Sequence, residues 1–144
     1  MDLELQGKHV LITGGSKGIG LACARAFLAE GARVSLVSRN PDNLERGTAE
    51  LARTAGDGAG GDAAARVATF AADLTDPDAA LAALDRAQEQ CGPVDILVNS
   101  AGAARRVPPD ELTPGAWHDA MQAKYFTYIH MLDPVVKLMG ARGT

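Results

Sequence analysis

The sequence is short of several features, and each shortage removes a class of function. It has only two cysteines, Cys23 and Cys91, which fall inside predicted helices without metal-ligand spacing. They read as buried, reduced thiols. The three histidines, His9, His118 and His130, also lack the spacing of a metal site, so no metal is expected. There is no excess of positive charge: the formal net charge is −4, which gives no reason to expect nucleic acid or an anionic membrane as partner. No apolar run approaches the roughly 18 residues that span a bilayer. The opening MDLELQGK has neither the basic start nor the apolar stretch of a secretory signal. A cytoplasmic location is the default expectation.

What is present is the composition of a globular domain, with 47% apolar and 22% charged residues in 144 positions. KHVLIT (8–13) is an apolar, β-branched run suited to a strand buried on both faces. Behind it, Ile19, Ala22, Cys23, Ala26 and Phe27 recur at helical spacing until Gly31. ARVSLVS (32–38) reads as a second strand. Asn40-Pro41-Asp42 then supplies an N-cap, a first-turn proline and an acid for a helix to about Arg53. GDGAGGDAAA (56–65) reads as a long flexible surface loop. ARVATFAA (65–72) is predicted as strand three, and Asp76-Pro77-Asp78 starts a helix that Gly92-Pro93 stops. VDILVN (94–99) is predicted as strand four. Thr113-Pro114 opens a long helix carrying Trp117, Met121, Tyr125, Ile129 and Leu132, which Pro134 is expected to kink or end early. Strands alternating with helices at this rhythm imply right-handed βαβ units, a parallel sheet and one α/β domain without an internal boundary.

The stretch TGGSKGIG (13–20) joins the first strand to the first helix. A helix N-terminus there offers free N–H groups and partial positive charge, a natural seat for a pyrophosphate. Glycines suit such a turn because a Cβ would block both the tight bend and the approach of phosphates. Gly14 is expected to make the turn, Gly18 to admit the ligand and Gly20 to let the helix pack on the strand. Ser16 can donate a hydroxyl hydrogen bond. About twenty residues further on, an NAD-binding fold offers a carboxylate to the adenosine 2′-hydroxyl, whereas an arginine suits a 2′-phosphate. The chain reads Ser38-Arg39-Asn40 there, and Lys17 can add a second positive charge. NADP(H) is therefore favoured over NAD(H), with a solvated loop residue as the lesser reading of Arg39. Asp73-Leu74 follows strand three, where a carboxylate could meet the adenine amino group or act as a second helix cap. Asn99-Ser100-Ala101-Gly102 follows strand four, where Asn99 could tie strands together and small residues leave room for a ribose. All these features fall at the carboxyl ends of strands, where ligands of open α/β sheets lie.

With TGGSKGIG, SRN, DLT and NSAG in that order, the chain resembles the short-chain dehydrogenase/reductase family. The resemblance implies a Rossmann-like, doubly wound parallel sheet with strand order 3-2-1-4 and helices on both faces. It maps Gly14, Ser16, Lys17, Gly18, Ile19, Arg39, Asp73, Leu74, Asn99 and Gly102 onto nicotinamide-dinucleotide contacts. Gly20, Ser38, Asn40 and Ala101, which flank these motifs, complete the candidate set. It further implies a small carbonyl or alcohol substrate, for example a 3-oxoacyl or 3-ketolipid compound, and a homo-oligomer, with Tyr125, Tyr128 and Met131 in reach of exposed helix faces, although those side chains could equally be core.

The chain also departs from the family pattern. Family members carry a serine after a fifth strand and then Y-x-x-x-K, whose tyrosine is the acid/base. Here Tyr125 is followed four places on by Ile129 and Tyr128 by Leu132, and the sequence reads as truncated before a fifth strand. Hydride transfer by these 144 residues alone is not expected. Strand four would then be a bare apolar edge prone to aggregation unless another strand covers it. Seven residues after Trp117, where the family typically has an asparagine, stands Lys124. It could serve a proton-relay or electrostatic role, mark altered catalysis, or simply snorkel to the surface. Arg105 and Arg106, in the loop 103–112, could meet an anionic group or be solvated. The readings open at this stage are an NADP(H)-dependent oxidoreductase, a catalytically inactive NADP(H)-binding module with a regulatory or scaffold role, and a fold that binds no nucleotide.

Overall fold

The computed structural model describes residues 3–54, 62–103 and 105–143. Four parallel strands form one sheet in the order β3-β2-β1-β4. They are β1 (His9–Thr13), β2 (Arg33–Ser38), β3 (Val67–Ala71) and β4 (Ile96–Asn99). Between them run α1 (Gly18–Ala29), α2 (Pro41–Thr54) and α3 (Pro77–Cys91), and after β4 come α4 (Pro114–Met121) and α5 (Thr127–Arg142). This is the doubly wound, Rossmann-like arrangement that the sequence implied.

The continuous apolar strands follow from the layering. Successive residues of a strand face opposite sides of the sheet, so a sheet covered twice needs apolar side chains at every position. Val10, Ile12, Val34 and Leu36 pack on one face with Leu21, Ala24 and Leu28 of α1 and Leu44 and Leu51 of α2. Leu11, Val37 and Phe70 pack on the other with Ala80, Leu84 and Ala87 of α3 and Met131 and Val135 of α5. At the sheet edge, all four residues of β4 are only half-buried.

The helix starts are where the capping residues place them. The Asn40 side chain accepts from the Asn43 N–H at 3.0 Å, Asp76 from Asp78 at 2.9 Å and Thr113 from Ala116 at 3.2 Å. Three expectations need correction. Pro134 does not end the last helix, which runs on to Arg142. Its missing N–H costs a helical hydrogen bond, but Met131 and Val135 on either side are buried in the core, and Arg142 donates to the Val94 carbonyl. Of the two places open to Met131, an exposed face or the core, it takes the core. Cys23 and Cys91 are half-buried rather than buried. The loop predicted over 56–65 lies outside the described residues as far as position 61, and Ala64–Arg66 form a 3-10 turn into β3.

At the amino ends of the strands lies a buried polar chain that the sequence did not disclose. His9 is fully buried, with Nδ1 2.7 Å from the Gly92 carbonyl and Nε2 2.8 Å from Ser35 Oγ. The carbonyl can only accept, so Nδ1 carries the proton and Nε2 accepts from Ser35. Burial lowers the pKa of His9 below its ordinary value and outweighs the carbonyl contacts that raise it. The unfolded chain therefore binds a proton at a higher pH than the folded one does. The stability contributed by neutral His9 is complete above about pH 6.5 and is lost as the pH falls towards the lower folded value. Chemical denaturation at pH 7.5 and 5.5 should show lower stability at pH 5.5, with the difference reduced in His9→Gln.

Candidate functional site

An open cleft of about 380 Å³ runs along the carboxyl ends of the strands. Its floor begins at the turn after β1. Gly14 has φ +67°, a conformation that side chains disfavour, and a Cβ there would lie 2.7 Å from the Ala101 backbone nitrogen. Gly20 packs on the Gly14 carbonyl, so this glycine lets α1 sit on the turn itself rather than on the strand. Gly18 has φ +57° with open space around it. Lys17 stands at the N-cap in extended conformation without making a side-chain cap bond, so no side chain of its own turn closes the start of α1.

The four strand ends then supply the walls. Ser16 is buried and its hydroxyl donates to Ser38 Oγ at 3.0 Å, joining the glycine turn to the end of β2. Lys17, Ile19, Ser38 and Arg39 line one flank. Ile19 is 78% exposed, an apolar side chain held over the cleft mouth. Asp73, Leu74 and Thr75 come from the end of β3. Leu74 is an anchor in the core, while Asp73 is exposed and accepts from the Thr75 N–H at 3.0 Å and from its hydroxyl at 2.8 Å. That backbone bond, backed by the hydroxyl and the Arg39 charge, holds the Asp73 carboxyl below its ordinary value, so it is ionised at neutral pH. Asp73 thus closes a local turn, while Asp76 alone caps α3.

Ser100, Ala101, Gly102 and Ala103 form the opposite flank, with Ala123, Lys124 and Thr127 above them. The chain between α4 and α5 widens into a π turn at Gln122–Phe126. Such turns insert a residue and re-aim side chains. Ala103 N–H donates to the Ala123 carbonyl at 3.2 Å, and Thr127 Oγ1 to the Lys124 carbonyl at 2.8 Å. Lys124 therefore lies over Gly102, where a Cβ would be 3.0 Å from its Cδ.

Of the residues singled out in the sequence, Gly14, Ser16, Lys17, Ile19, Ser38, Arg39, Asp73, Leu74, Ala101, Gly102 and Lys124 meet in this one cleft. Four do not line it. Asn40 caps α2, Gly18 opens to the groove between α1 and α2, Gly20 is packing, and Asn99 lies behind the floor. Arg105 and Arg106 are exposed and do not line the cleft. The sequence reading missed Thr13, which is fully buried under the turn. Its hydroxyl donates to Asn99 Oδ1 at 3.3 Å and accepts from the N–H groups of Ser100 and Ala101 at 3.1 and 3.3 Å. A threonine ending a buried strand carries no special signal, so only the register of β1 with β4, which pairs Thr13 with Asn99, discloses this role.

Comparison with known proteins agrees with this geometry. A family model described as short chain dehydrogenase matches residues 8–144. D-threitol dehydrogenase from Mycolicibacterium smegmatis is 39% identical over 120 residues, covering 83% of this chain and 43% of that protein. Gluconate 5-dehydrogenase from Gluconobacter oxydans is 33% identical, covering 97% and 51% respectively. Among solved structures, L-sorbose reductase from Gluconobacter frateurii, complexed with NADPH and L-sorbose, superposes with a TM-score of 0.83 at 32% identity. That match covers 99% of this chain and 51% of the reductase. The fold and the cleft define an α/β protein with an open site at the carboxyl ends of a parallel sheet. More particularly, the chain belongs to the short-chain dehydrogenase family, and it spans about half the length of the curated relatives it matches.

The residues present fit a nicotinamide dinucleotide. The glycine turn leaves a helix N-terminus without a side-chain cap, the flank carries two cations, and small residues floor the cleft. The floor depends on Thr13. Thr13→Val keeps the shape but removes the hydroxyl acceptor of two part-buried N–H groups, of which Ser100 keeps the Thr13 carbonyl and Ala101 does not, and should cost about 1 kcal/mol. Thr13→Ser should restore most of the loss in urea denaturation. Equal stability of all three proteins would contradict this role.

Proposed function

We propose that this chain is the cofactor-binding part of an NADP(H)-dependent oxidoreductase and forms one dinucleotide-binding unit over residues 1–144. The observation that carries the cofactor choice is that Lys17 and Arg39 line the same flank of the cleft while no carboxylate follows β2. A carboxylate at that strand end would accept from a ribose hydroxyl and repel a phosphate; an arginine does the reverse. The acid that lines the cleft, Asp73, stands after β3 and already accepts from both groups of Thr75. The NADPH bound by L-sorbose reductase supports the same choice.

On this reading Gly14 and the first turn of α1 hold the pyrophosphate. Arg39 and Lys17 hold the 2′-phosphate beside Ser38. Asp73 and Leu74 border the adenine, and Ala101 and Gly102 border the far ribose over the floor that Asn99 supports. The nicotinamide, when bound, exchanges hydride with a small carbonyl or alcohol substrate, of which 3-oxoacyl and 3-ketolipid compounds are examples. The unpaired thiols suit a cytoplasmic protein, and among the described residues no helix is long and apolar enough to cross a membrane. An exposed apolar stripe on α4 and α5, with Trp117 62% and Val136 54% accessible, supports homo-oligomerisation.

Titration with both dinucleotides tests the cofactor choice. NADPH should bind at least about tenfold more tightly than NADH, as expected for one charge-assisted phosphate contact, and Arg39→Ala should remove most of the difference. Equal affinities in the unaltered chain would refute the preference.

A further inference from the structure

Lys124 is the one cation of the cleft that this assignment does not use. Its aliphatic stem rests on Gly102, where a Cβ would crowd it at 3.0 Å. Its backbone is held on both sides, by the Ala103 bond to Ala123 and by the Thr127 hydroxyl. The ammonium lies beside Gly102, 3.5 Å from where a Cβ would stand, in a residue that lines the cleft, and among the described residues it has no hydrogen bond or ion pair. A lysine that merely snorkels lays its stem on apolar side chains and turns its head to bulk water. Here the stem is laid across a cleft floor in a widened helical turn.

The sheet order fixes where this charge stands along a bound ligand. Arg39 follows β2 and Gly102 follows β4, with β1 and its glycine turn between them. The strand ends beside which the two cations stand are therefore two strand spacings apart, roughly 10 Å, on opposite sides of the phosphate seat. Gly14 touches Ala101, and Lys124 covers the next residue. A dinucleotide whose 2′-phosphate lies at Arg39 and whose pyrophosphate lies at the start of α1 must extend its other half past Gly102. We propose that Lys124 is a binding residue for the nicotinamide half of the dinucleotide, its ammonium meeting the phosphate and ribose oxygens on that side. It acts as a second clamp, opposite to Arg39. This assignment rests on the dinucleotide reading above.

Three probes separate the two ends: NADPH, NADH and adenosine 2′,5′-bisphosphate, which has the 2′-phosphate but no nicotinamide half. They are titrated against the unaltered chain and Lys124→Met, which keeps the stem on Gly102 and removes the charge. Lys124→Met should weaken NADPH and NADH by a common factor of about ten, the scale of one charge-assisted contact, and leave the bisphosphate unchanged. Lys124→Arg should recover most of the loss, and Lys124→Gln should repeat it if the methionine variant fails to fold. Arg39→Ala should give the complementary pattern, weakening NADPH and the bisphosphate but not NADH. Unchanged dinucleotide affinity in Lys124→Met or Lys124→Gln overturns the clamp while leaving the dinucleotide reading intact. A loss shared with the bisphosphate also overturns it. Failure of the unaltered chain to bind any of the three probes overturns both.

Discussion

The arrangement depends on how closely the carboxyl ends of β1 and β4 approach each other. Gly14 has no room for a side chain because the Ala101 backbone occupies that space, and the buried Thr13 hydroxyl stitches the two strand ends together from below. With this junction closed, the start of α1 is aimed into the cleft and the Ala101–Gly102 backbone becomes its floor. If it opened, the turn, the flank carrying Lys124 and the register of Asn99 would separate. The driving force for bringing the strands together is general, since both faces of the sheet are buried by helices. The precise seat is local, a matter of one glycine and one hydroxyl.

Charge is then laid out along the strand ends. Lys17 and Arg39 stand on one flank and Lys124 on the other, with the ionised Asp73 drawn into its own turn beside Thr75. A protein of net charge −4 thus presents a locally cationic cleft. That contrast concentrates an anionic ligand at the site without making the whole surface basic. The polar chain of His9, Ser35 and Gly92 lies at the opposite end of the strands, so stability and binding are served by different ends of one sheet.

The fold was legible in the sequence because its signals were local and redundant. Each strand was an apolar run closed by a turn, and Asn40, Asp76 and Thr113 announced their helices by chemistry that needs no tertiary context. The cleft was legible for a related reason: residues at successive strand ends of a parallel sheet meet whatever the details of packing. What was hidden depended on pairs distant in sequence. Thr13 needed its β4 partners, and His9 needed Ser35 and Gly92. The course of the last helix through Pro134 needed the burial of Met131 and Val135, which outweighs a lost backbone bond. The π turn that carries Lys124 likewise has no local signature; it is held by the Ala103 N–H of the same flank and by the hydroxyl of Thr127, the residue that follows it.

The central claim is that a dinucleotide lies along the carboxyl edge of the sheet, from Arg39 across the glycine turn to Gly102. Backbone amide NMR during titration with NADPH tests it most directly. Shifts should concentrate at Gly14–Ile19, Ser38–Arg39, Asp73–Leu74 and Ala101–Gly102, with little change at His9, Ser35 or Gly92. Shifts confined to the outer surfaces of α2 and β3, or to the amino ends of the strands, would contradict the account.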